Sequence, residues 1–337
     1  MVGADGRLPL PWIEAPLREA LATRRGHALL IQGPQGVGQF ELALTMAQAW
    51  LCEAAHDPKP CGNCAGCKLV QSHTHPDLLV LLPEALREPL GWAASDDGDA
   101  GGEEKAGKRK PSKDIRVDEI RQAIAFAQTT SARGRGKVVV IHPAERMNGI
   151  SANALLKTLE EPPGNARLLL GCAAPDALLP TIRSRCQALV LPLPETAQAS
   201  RWLAERSVSQ PEVLLAATGG QPQDVLDWVA DGIDAAQWLA LPKQLARGES
   251  GTLASWPLPR VVDSLLKLCH DAMRLAAGSA PRYFPPQAMP PAASLEALSG
   301  WARELGRTSQ QAEHPWNTGL MVESLTQQAR QALNSRA

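Results

Sequence analysis

The chain has 337 residues, 44% of them hydrophobic, and its 34 lysines and arginines nearly balance 35 acidic residues, for a net charge of −1. This length suits two or three domains with full cores. The charge balance argues against binding nucleic acid mainly through an overall positive field, although a local basic patch is still compatible with it. No apolar run reaches the length of a membrane span and no signal-peptide pattern is present, so we expect a cytoplasmic protein.

The first predicted elements are a short arm and an amphipathic helix within residues 1–26. An apolar run beginning at His27 then predicts a buried strand, a glycine-rich turn, and a helix from Glu41 to about Leu51. This order of strand, turn and helix is the context of a P-loop, whose pattern is G-x-x-x-x-G-K-[ST].

The turn keeps the glycines of a P-loop but lacks its chemical groups. Gly33, Gly36 and Gly38 are present, whereas Gln39 stands at the lysine position and Phe40 at the serine or threonine position. In a working loop the lysine reaches the β/γ-phosphates and the hydroxyl binds Mg²⁺. Because glutamine carries no charge and phenylalanine cannot ligate a metal, we expect no ATP turnover here; binding through the backbone amides stays open.

A cysteine cluster of the form C-x8-C-x2-C-x2-C follows this helix: Cys52, Cys61, Cys64 and Cys67. Four thiolates suit tetrahedral Zn²⁺, and intervening small residues permit tight turns, so we predict a structural zinc site. Four unligated thiols and an iron–sulfur cluster are the alternatives. His73 and His75 could compete as ligands, although polar loop residues are the simpler interpretation because four positions are already filled.

A second strand is predicted over Asp77–Leu82, followed by an insertion at 84–113 that is rich in glycine and mixed charge. Such a composition is typical of a flexible surface segment. Within it, the run Lys108-Arg109-Lys110 could touch a phosphate backbone, although a solvated loop is favoured by the neighbouring acidic residues.

A helix over Asp114–Gln128 precedes the wholly apolar run Val138–Ile141, which indicates a central parallel strand. In P-loop ATPases such a strand ends in acidic residues that hold Mg²⁺ and activate water. Here His142 and Pro143 occupy that position, and Glu145 lies further along, where we expect it to face a loop.

The next predicted helix is Ser151–Glu161, capped by Ser151 and ended by Pro162-Pro163. Three more elements continue the alternation of strand and helix: strand Arg167–Cys172, helix Leu178–Arg183 and strand Ala188–Leu193. This alternation predicts a parallel, doubly wound α/β domain over residues 1–193.

Helices dominate the rest of the chain. A small helical domain is predicted over 194–234, with helices Thr196–Arg206, Pro211–Thr218 and Asp224–Ala230, the last two separated by a turn at Gly219–Gln223. An all-α domain is predicted over 235–337, with breaks near 242, 257 and 281–291, and it contains no recognisable motif.

Four motifs carry a resemblance to a known family: G-P-Q-G-V-G-Q, the cysteine pattern, N-A-L-L-K-T-L-E-E-P-P (Asn153 to Pro163) and S-R-C (Ser184 to Cys186). With these motifs in order, the chain resembles the delta-prime-type subunits of the bacterial DNA polymerase III clamp loader, which are AAA+ proteins. The resemblance covers residues 1 to about 235 well and the remainder in length and helical character. The gamma/tau ATPase subunits share the last three motifs but keep the P-loop Lys-Thr and the acidic pair.

The resemblance implies an AAA+ domain with a zinc module, a helical lid and a C-terminal collar. It implies a subunit that does not hydrolyse ATP itself, within a DNA polymerase holoenzyme. Its partners would be gamma/tau and delta subunits in a pentameric ring, and through them a sliding clamp and primed DNA.

Within the S-R-C motif, the resemblance implies that Arg185, flanked by Ser184 and Cys186, is an arginine finger facing the ATP of a neighbouring subunit. A guanidinium can stabilise the negative charge of phosphoryl transfer, and its donor needs no ATP of its own. An ordinary salt bridge is the alternative, and Arg183 is a weaker candidate. Gln223 stands near the place of the ATP-sensing arginine of AAA+ lids, so we expect this sensor to be absent as well.

Other functions compete with this interpretation. One is an ATP-hydrolysing gamma/tau-type subunit, or a divergent ATPase in an unusual register, which the lack of lysine between Arg25 and Lys59 argues against. Another is a zinc-dependent DNA-binding protein, which the scarcity of aromatic residues near the cysteines and the near-zero net charge disfavour.

Overall fold

A computed structural model describes residues 1–23, 26–55, 58–92, 111–311 and 317–335. The run Lys108-Arg109-Lys110, and most of the predicted flexible insertion, lie outside the described residues. The chain forms two compact units, Met1–Leu193 and Pro194–Ala337. The division into domains 1–193, 194–234 and 235–337 stays a prediction.

The first unit is built on a five-stranded, fully parallel sheet in the order β2-β3-β4-β1-β5. Its strands are β1 Ala28–Gln32, β2 Leu78–Leu81, β3 Val138–Ile141, β4 Arg167–Cys172 and β5 Gln187–Val190. All four residues of β3 are buried, as expected for a strand between two parallel neighbours. The predicted parallel α/β domain is therefore confirmed, and β1 lies between β4 and β5 with the P-loop-type turn at its carboxyl end.

Seven α-helices accompany this sheet in the described part of the unit: α1 Glu14–Thr23, α2 Gln39–Leu51, α3 Ala65–Gln71, α4 Glu84–Arg87, α5 Val117–Gln128, α6 Gly149–Glu160 and α7 Pro180–Arg183. Two of them, α3 and α4, were not expected from the sequence. Helix α3 begins within the cysteine pattern, which was interpreted as a series of tight turns. Helix α4 lies within the segment that is rich in glycine and mixed charge.

The start of α6 differs from the prediction that Ser151 caps the helix. Asn148 is the cap, and its Oδ1 accepts a hydrogen bond from the backbone N–H of Ser151 at 2.9 Å. The fully buried hydroxyl of Ser151 instead donates to the carbonyl oxygen of Ile115 at 3.0 Å. Asparagine three residues upstream satisfies an otherwise unpaired helix N–H, which releases Ser151 to connect α6 to the segment before α5.

The α-helices of the second unit, within its described residues, are α8 Thr196–Ala204, α9 Pro211–Ala217, α10 Pro222–Ala230, α11 Ala235–Arg247, α12 Leu258–Ala276, α13 Leu295–Gln310 and α14 Thr318–Leu333, and no strand is present among these residues. The break expected near residue 242 is absent, because α11 continues through Pro242, which is buried within it. None of the helices described in either unit is long and apolar enough to cross a membrane.

The core of the second unit centres on Trp238, which is fully buried. Its ring stacks on Phe284 with centroids 4.3 Å apart and lies 5.1 Å from the ring of Trp228. The segment carrying Phe284 is held by the buried carboxylate of Asp271, which accepts three backbone hydrogen bonds of 2.7–2.9 Å. Aromatic stacking and a buried acceptor thus fix the long connection between α12 and α13.

Candidate functional site

The P-loop-type turn packs tightly against two other parts of the first unit. A Cβ added at Gly33 would lie 2.2 Å from the carbonyl oxygen of Leu191, and one added at Gly38 would lie 2.2 Å from Leu10 Cδ1. Gly38 also has a φ of +103°, which disfavours any residue with a side chain. These glycines are therefore required by packing and backbone conformation, whether or not the turn holds a phosphate.

The side chain of Gln39 is directed back onto this turn. Its Nε2 donates to the carbonyl oxygens of Gly33 at 2.6 Å and Pro34 at 2.7 Å, and only 4% of the residue is exposed. The amide thus satisfies backbone acceptors of the loop, and it brings no positive charge to the place where a P-loop lysine would meet phosphate.

Phe40 lies in an aromatic cluster at the metal-binding position of a P-loop. Its ring stacks on His142 at a centroid distance of 5.2 Å and meets Trp92 edge-on at 6.5 Å. Trp92 in turn stacks on His73 at 3.9 Å. This aromatic cluster, comprising Phe40, His142, Trp92 and His73, places stacked rings where an ATPase places a hydroxyl and water around Mg²⁺.

His142, which follows β3, has a neutral ring at physiological pH. Burial of the ring lowers the pKa of His142 to about 4, and its Nδ1 is buried without a hydrogen-bond partner among the described residues. Glu145 accepts a hydrogen bond from the backbone N–H of Ala173 at 2.9 Å through Oε1. Burial, together with this carboxylate, raises the pKa of the Cys172 thiol to about 12. Glu145 thus lies against the end of β4.

The four clustered cysteines meet in space with the geometry of a metal site: Cys52, Cys61, Cys64 and Cys67. Their Sγ atoms all lie within 4.8 Å of one another. The Cys52–Cys64 and Cys61–Cys67 sulfur separations are 3.9 and 4.0 Å. Tetrahedral zinc with bonds of about 2.3 Å to sulfur requires separations of about 3.8 Å. The four thiols therefore fit a zinc ion without rearrangement.

Backbone donors add to this fit. The N–H groups of Glu53 and Cys67 point at Cys64 Sγ at 3.3 and 3.4 Å, and that of Cys64 points at Cys61 Sγ at 3.4 Å. The backbone N–H groups of Asn63 and Cys64 lower the pKa of Cys61, and those of Cys67 and Glu53 lower the pKa of Cys64 to about 6 despite its burial. Burial raises the pKa of the other two thiols, Cys52 and Cys67. Thiolates are the form that binds zinc, and N–H donors stabilise them.

The two histidines that could compete as ligands lie elsewhere. His73 stacks on Trp92, and the Nδ1 of His75, 4% exposed, accepts a hydrogen bond from the Asp77 backbone at 3.0 Å. Burial lowers the pKa of both rings. Neither histidine belongs to the group of sulfur atoms that could hold the metal.

The S-R-C motif lies between α7 and β5. Arg185 Nε donates to Glu160 Oε1 at 2.6 Å, and its Nη1 donates to the Thr181 carbonyl at 3.0 Å. The Ser184 hydroxyl donates to the same carbonyl at 3.2 Å. Cys186 is half-buried, and burial raises the pKa of its thiol to about 12. Ser184 thus hydrogen-bonds to the backbone, and Cys186 is a half-buried thiol. The guanidinium of Arg185 is the charged group of the motif.

Arg183 and Gln223 lie apart from this arginine. Arg183 is paired with Asp176 at 2.9 Å, and its side chain is 43% exposed. Gln223 lies in the first turn of α10, after a turn in which Gly219 and Gly220 have φ values of +74° and +92°.

Two contributors to this region were missed from the sequence. Glu160 was visible only as part of a motif. Its pairing with Arg185 gave no local sequence signal, because the two residues are 25 positions apart. Trp92 was assigned to the flexible insertion, and a tryptophan at the border of a polar segment was the available hint that this end is anchored.

The fold and these sites together define a P-loop NTPase-type α/β unit with an altered P-loop, joined to a helical unit. The family model described as "DNA polymerase III, delta subunit" matches residues 13–195. A Pseudomonas aeruginosa protein named DNA polymerase III subunit delta' is 37% identical over 270 residues, covering 75% of this chain and 74% of that protein. The chain therefore belongs to the DNA polymerase III delta' subunit family.

Further relatives agree with this family. The Escherichia coli subunit delta' is 29% identical over 287 residues, covering 79% of this chain and 78% of that protein. Subunits named tau and tau/gamma also match, over about half of this chain. The fold is shared with a DNA polymerase III gamma subunit-related protein of Thermotoga maritima, at a TM-score of 0.50 and 19% identity, covering 96% of this chain and 100% of that structure.

Proposed function

We propose that this chain is the delta-prime-type subunit of a clamp-loader ring and does not itself hydrolyse ATP. In this proposal it assembles in the cytoplasm with gamma/tau and delta subunits into a pentamer that loads a sliding clamp onto primed DNA. It lends Arg185 to the ATP bound by a neighbouring ATPase subunit. In this proposal residues 194–234 form a helical lid, and the collar at 235–337 provides the contacts that hold the ring.

The observation that carries the proposal is that the side chains at the lysine and hydroxyl positions of the P-loop are uncharged and engaged in other contacts. Gln39 is hydrogen-bonded to the carbonyls of Gly33 and Pro34, and Phe40 is stacked on His142. Phosphoryl transfer requires positive charge at the β/γ-phosphates and a bound Mg²⁺. These side chains supply neither, so charge neutralisation and metal binding fail together rather than singly.

The position of Arg185 supports its role in trans. Its side chain is 31% exposed, so the guanidinium can meet a second chain, and an arginine remains charged at any physiological pH. A finger of this kind stabilises charge that develops on the transferred phosphoryl group and can raise turnover by about 1,000-fold or more.

The zinc ion is proposed as a structural component. Cys52, Cys61, Cys64 and Cys67 would hold it, and four thiolates leave no coordination position for a substrate. Bound zinc would connect the end of α2 to the start of α3, because Cys52 directly follows α2 and Cys67 lies within α3.

The experiment is ATP hydrolysis by a loader reconstituted with gamma/tau and delta subunits, stimulated by sliding clamp and primed DNA. We expect Arg185→Ala to lower turnover while the ring, checked by size-exclusion chromatography with light scattering, stays intact. Arg183→Ala is the matched control, because this neighbouring arginine pairs with Asp176, and it should leave turnover unchanged. Equal turnover with wild-type and Arg185→Ala chains would refute the finger.

The isolated chain tests the other functions. ATP turnover by the purified chain alone would favour a gamma/tau-type or divergent ATPase. Tight DNA binding that requires the zinc ligands would favour a zinc-dependent DNA-binding protein. The buried Gln39 and Phe40 side chains lead us to expect no turnover.

A further inference from the structure

Two separate sequence motifs meet at one ion pair. Glu160 is the last residue of α6, in the N-A-L-L-K-T-L-E-E-P-P motif, and Arg185 belongs to the S-R-C motif that follows α7. Arg185 Nε donates to Glu160 Oε1 at 2.6 Å, and Nη2 also contacts that oxygen. The contact therefore joins two segments that are far apart in sequence.

The carboxylate engages one particular edge of the guanidinium. A guanidinium is a planar fork with five N–H donors, and Glu160 takes the edge formed by Nε and Nη2. The other donor contacts run from Nη1 to the Thr181 carbonyl at 3.0 Å and to the Ser184 hydroxyl at 3.4 Å. The terminal edge, between Nη1 and Nη2, is a different side of the same plane, and a guanidinium can bind a phosphate through the two N–H donors of such an edge.

These contacts restrict a side chain that would otherwise be mobile. A free arginine samples many rotamers, and each must be given up when the group binds a phosphate. Glu160 fixes the guanidinium from one side and Thr181 fixes it from another, while the side chain keeps 31% exposure. Much of the ordering is thus done before a second subunit arrives.

We propose that Glu160 is a positioning residue for Arg185: it holds the Nε–Nη2 edge so that the terminal edge faces the γ-phosphate of the neighbouring subunit's ATP. This inference rests on the proposed function of Arg185 as a finger in trans. Glu160 touches neither nucleotide nor metal in this arrangement, and its effect passes entirely through Arg185.

The first test replaces Glu160 with glutamine in the reconstituted loader. Glu160→Gln keeps the size of the side chain and removes its charge. Glu161→Gln is the matched control, because Glu161 is exposed, carries the same charge and follows directly in the chain. We expect Glu160→Gln to lower kcat by about threefold to tenfold with little change in KM for ATP, since loss of orientation acts on the transition state. The control should behave as wild type.

The second test places Glu160→Gln on the Arg185→Ala background. If Glu160 acts through Arg185, the double variant should turn over ATP at the rate of Arg185→Ala alone. A further loss in the double variant would overturn the inference, because it would show an effect independent of the arginine. Faster turnover by Glu160→Gln alone would also overturn it, because the carboxylate would then be competing with phosphate.

The outcomes separate the inference from the proposal on which it rests. Unchanged turnover with Arg185→Ala removes the finger and the positioning role together. A loss with Arg185→Ala but none with Glu160→Gln removes only the positioning role. Thermal melting of each free chain identifies variants that fail to fold, and the Glu161→Gln chain gives the reference melting temperature.

Discussion

Phe40 stacks on His142 with ring centroids 5.2 Å apart and an interplanar angle of 26°. The first residue stands at the hydroxyl position of a P-loop, and the second stands at the acidic position at the end of β3. The two replacements of metal-binding positions are therefore in direct contact with each other. What would be a magnesium site in an ATPase is a contact between two aromatic rings in this unit.

Truncation of Phe40 should destabilise the chain. Phe40 is only 5% exposed, so Phe40→Ala would leave a cavity beside His142 and Trp92. We expect a loss of about 3–5 kcal/mol in the free energy of unfolding, measured by urea denaturation. Ile150→Ala is the control, because Ile150 is 70% exposed and its truncation should change stability by less than about 0.5 kcal/mol. Equal effects of the two variants would contradict a packed Phe40.

Acid should weaken the fold through His142. Its pKa is about 4 in the folded chain, against 6.5 ordinarily, so the unfolded chain binds a proton first as the pH falls. The contribution of His142 to the free energy of unfolding should therefore be fully present above about pH 6.5. It should decline as the pH falls towards 4, by up to about 3 kcal/mol. Burial lowers the pKa of His75 as well, which adds to the same trend.

The contribution of His142 can be isolated with His142→Asn, which does not titrate in this range. The difference in unfolding free energy between pH 7 and pH 5 should be smaller in the variant than in the wild type. The same pH dependence in both chains would show that His142 is not the group responsible.

Loss of one cysteine ligand should release zinc. Cys61→Ser removes one of four sulfur atoms that lie within 4.8 Å of one another. We expect about one zinc ion per wild-type chain by elemental analysis, a much lower content in the variant, and a melting temperature lower by several degrees. Cys186→Ser provides the comparison, since Cys186 lies outside the cluster and its loss should leave the metal content unchanged. If elemental analysis finds no zinc in the purified wild-type chain, the zinc site is ruled out.

The buried carboxylate of Asp271 should be essential to the second unit. It accepts hydrogen bonds from the backbone N–H groups of Arg282, Tyr283 and Phe284. Asp271→Asn replaces one acceptor oxygen by a donor, and we expect a loss of about 2–4 kcal/mol, measured by denaturant unfolding. Asp263→Asn, which removes an exposed acid paired with Lys267, should cost less than about 1 kcal/mol. A neutral Asp271→Asn variant would refute this role.

Periodicity and apolar runs predicted the sheet well. Val138–Ile141 and Arg167–Cys172 are strands with the predicted bounds, because a buried parallel strand is recognised by its uninterrupted apolar residues. The boundaries of helices were less accurate where two capping residues competed. Asn148 and Ser151 are both good caps, and only the contact between Ser151 and Ile115 in the folded unit decides between them.

Contacts between distant residues could not be read from local patterns. The replacements at Gln39 and Phe40 were visible in the sequence, but their hydrogen bonds and stacking depend on where β3 and Trp92 lie. Pairing of Glu160 with Arg185 depends on how α6 packs beside α7. Pro242 shows the reverse case, since tertiary packing keeps a helix intact where propensity alone predicts a break.

The aromatic cluster also constrains the evolutionary routes open to this chain. A change of Phe40 to threonine on its own would leave a void beside His142 and Trp92 before any metal could bind. A change of Gln39 to lysine on its own would bring a cation to a loop that lacks a metal ligand. Neither single change would produce an ATPase: the first gives up packing around Phe40, and the second leaves the loop without a metal ligand.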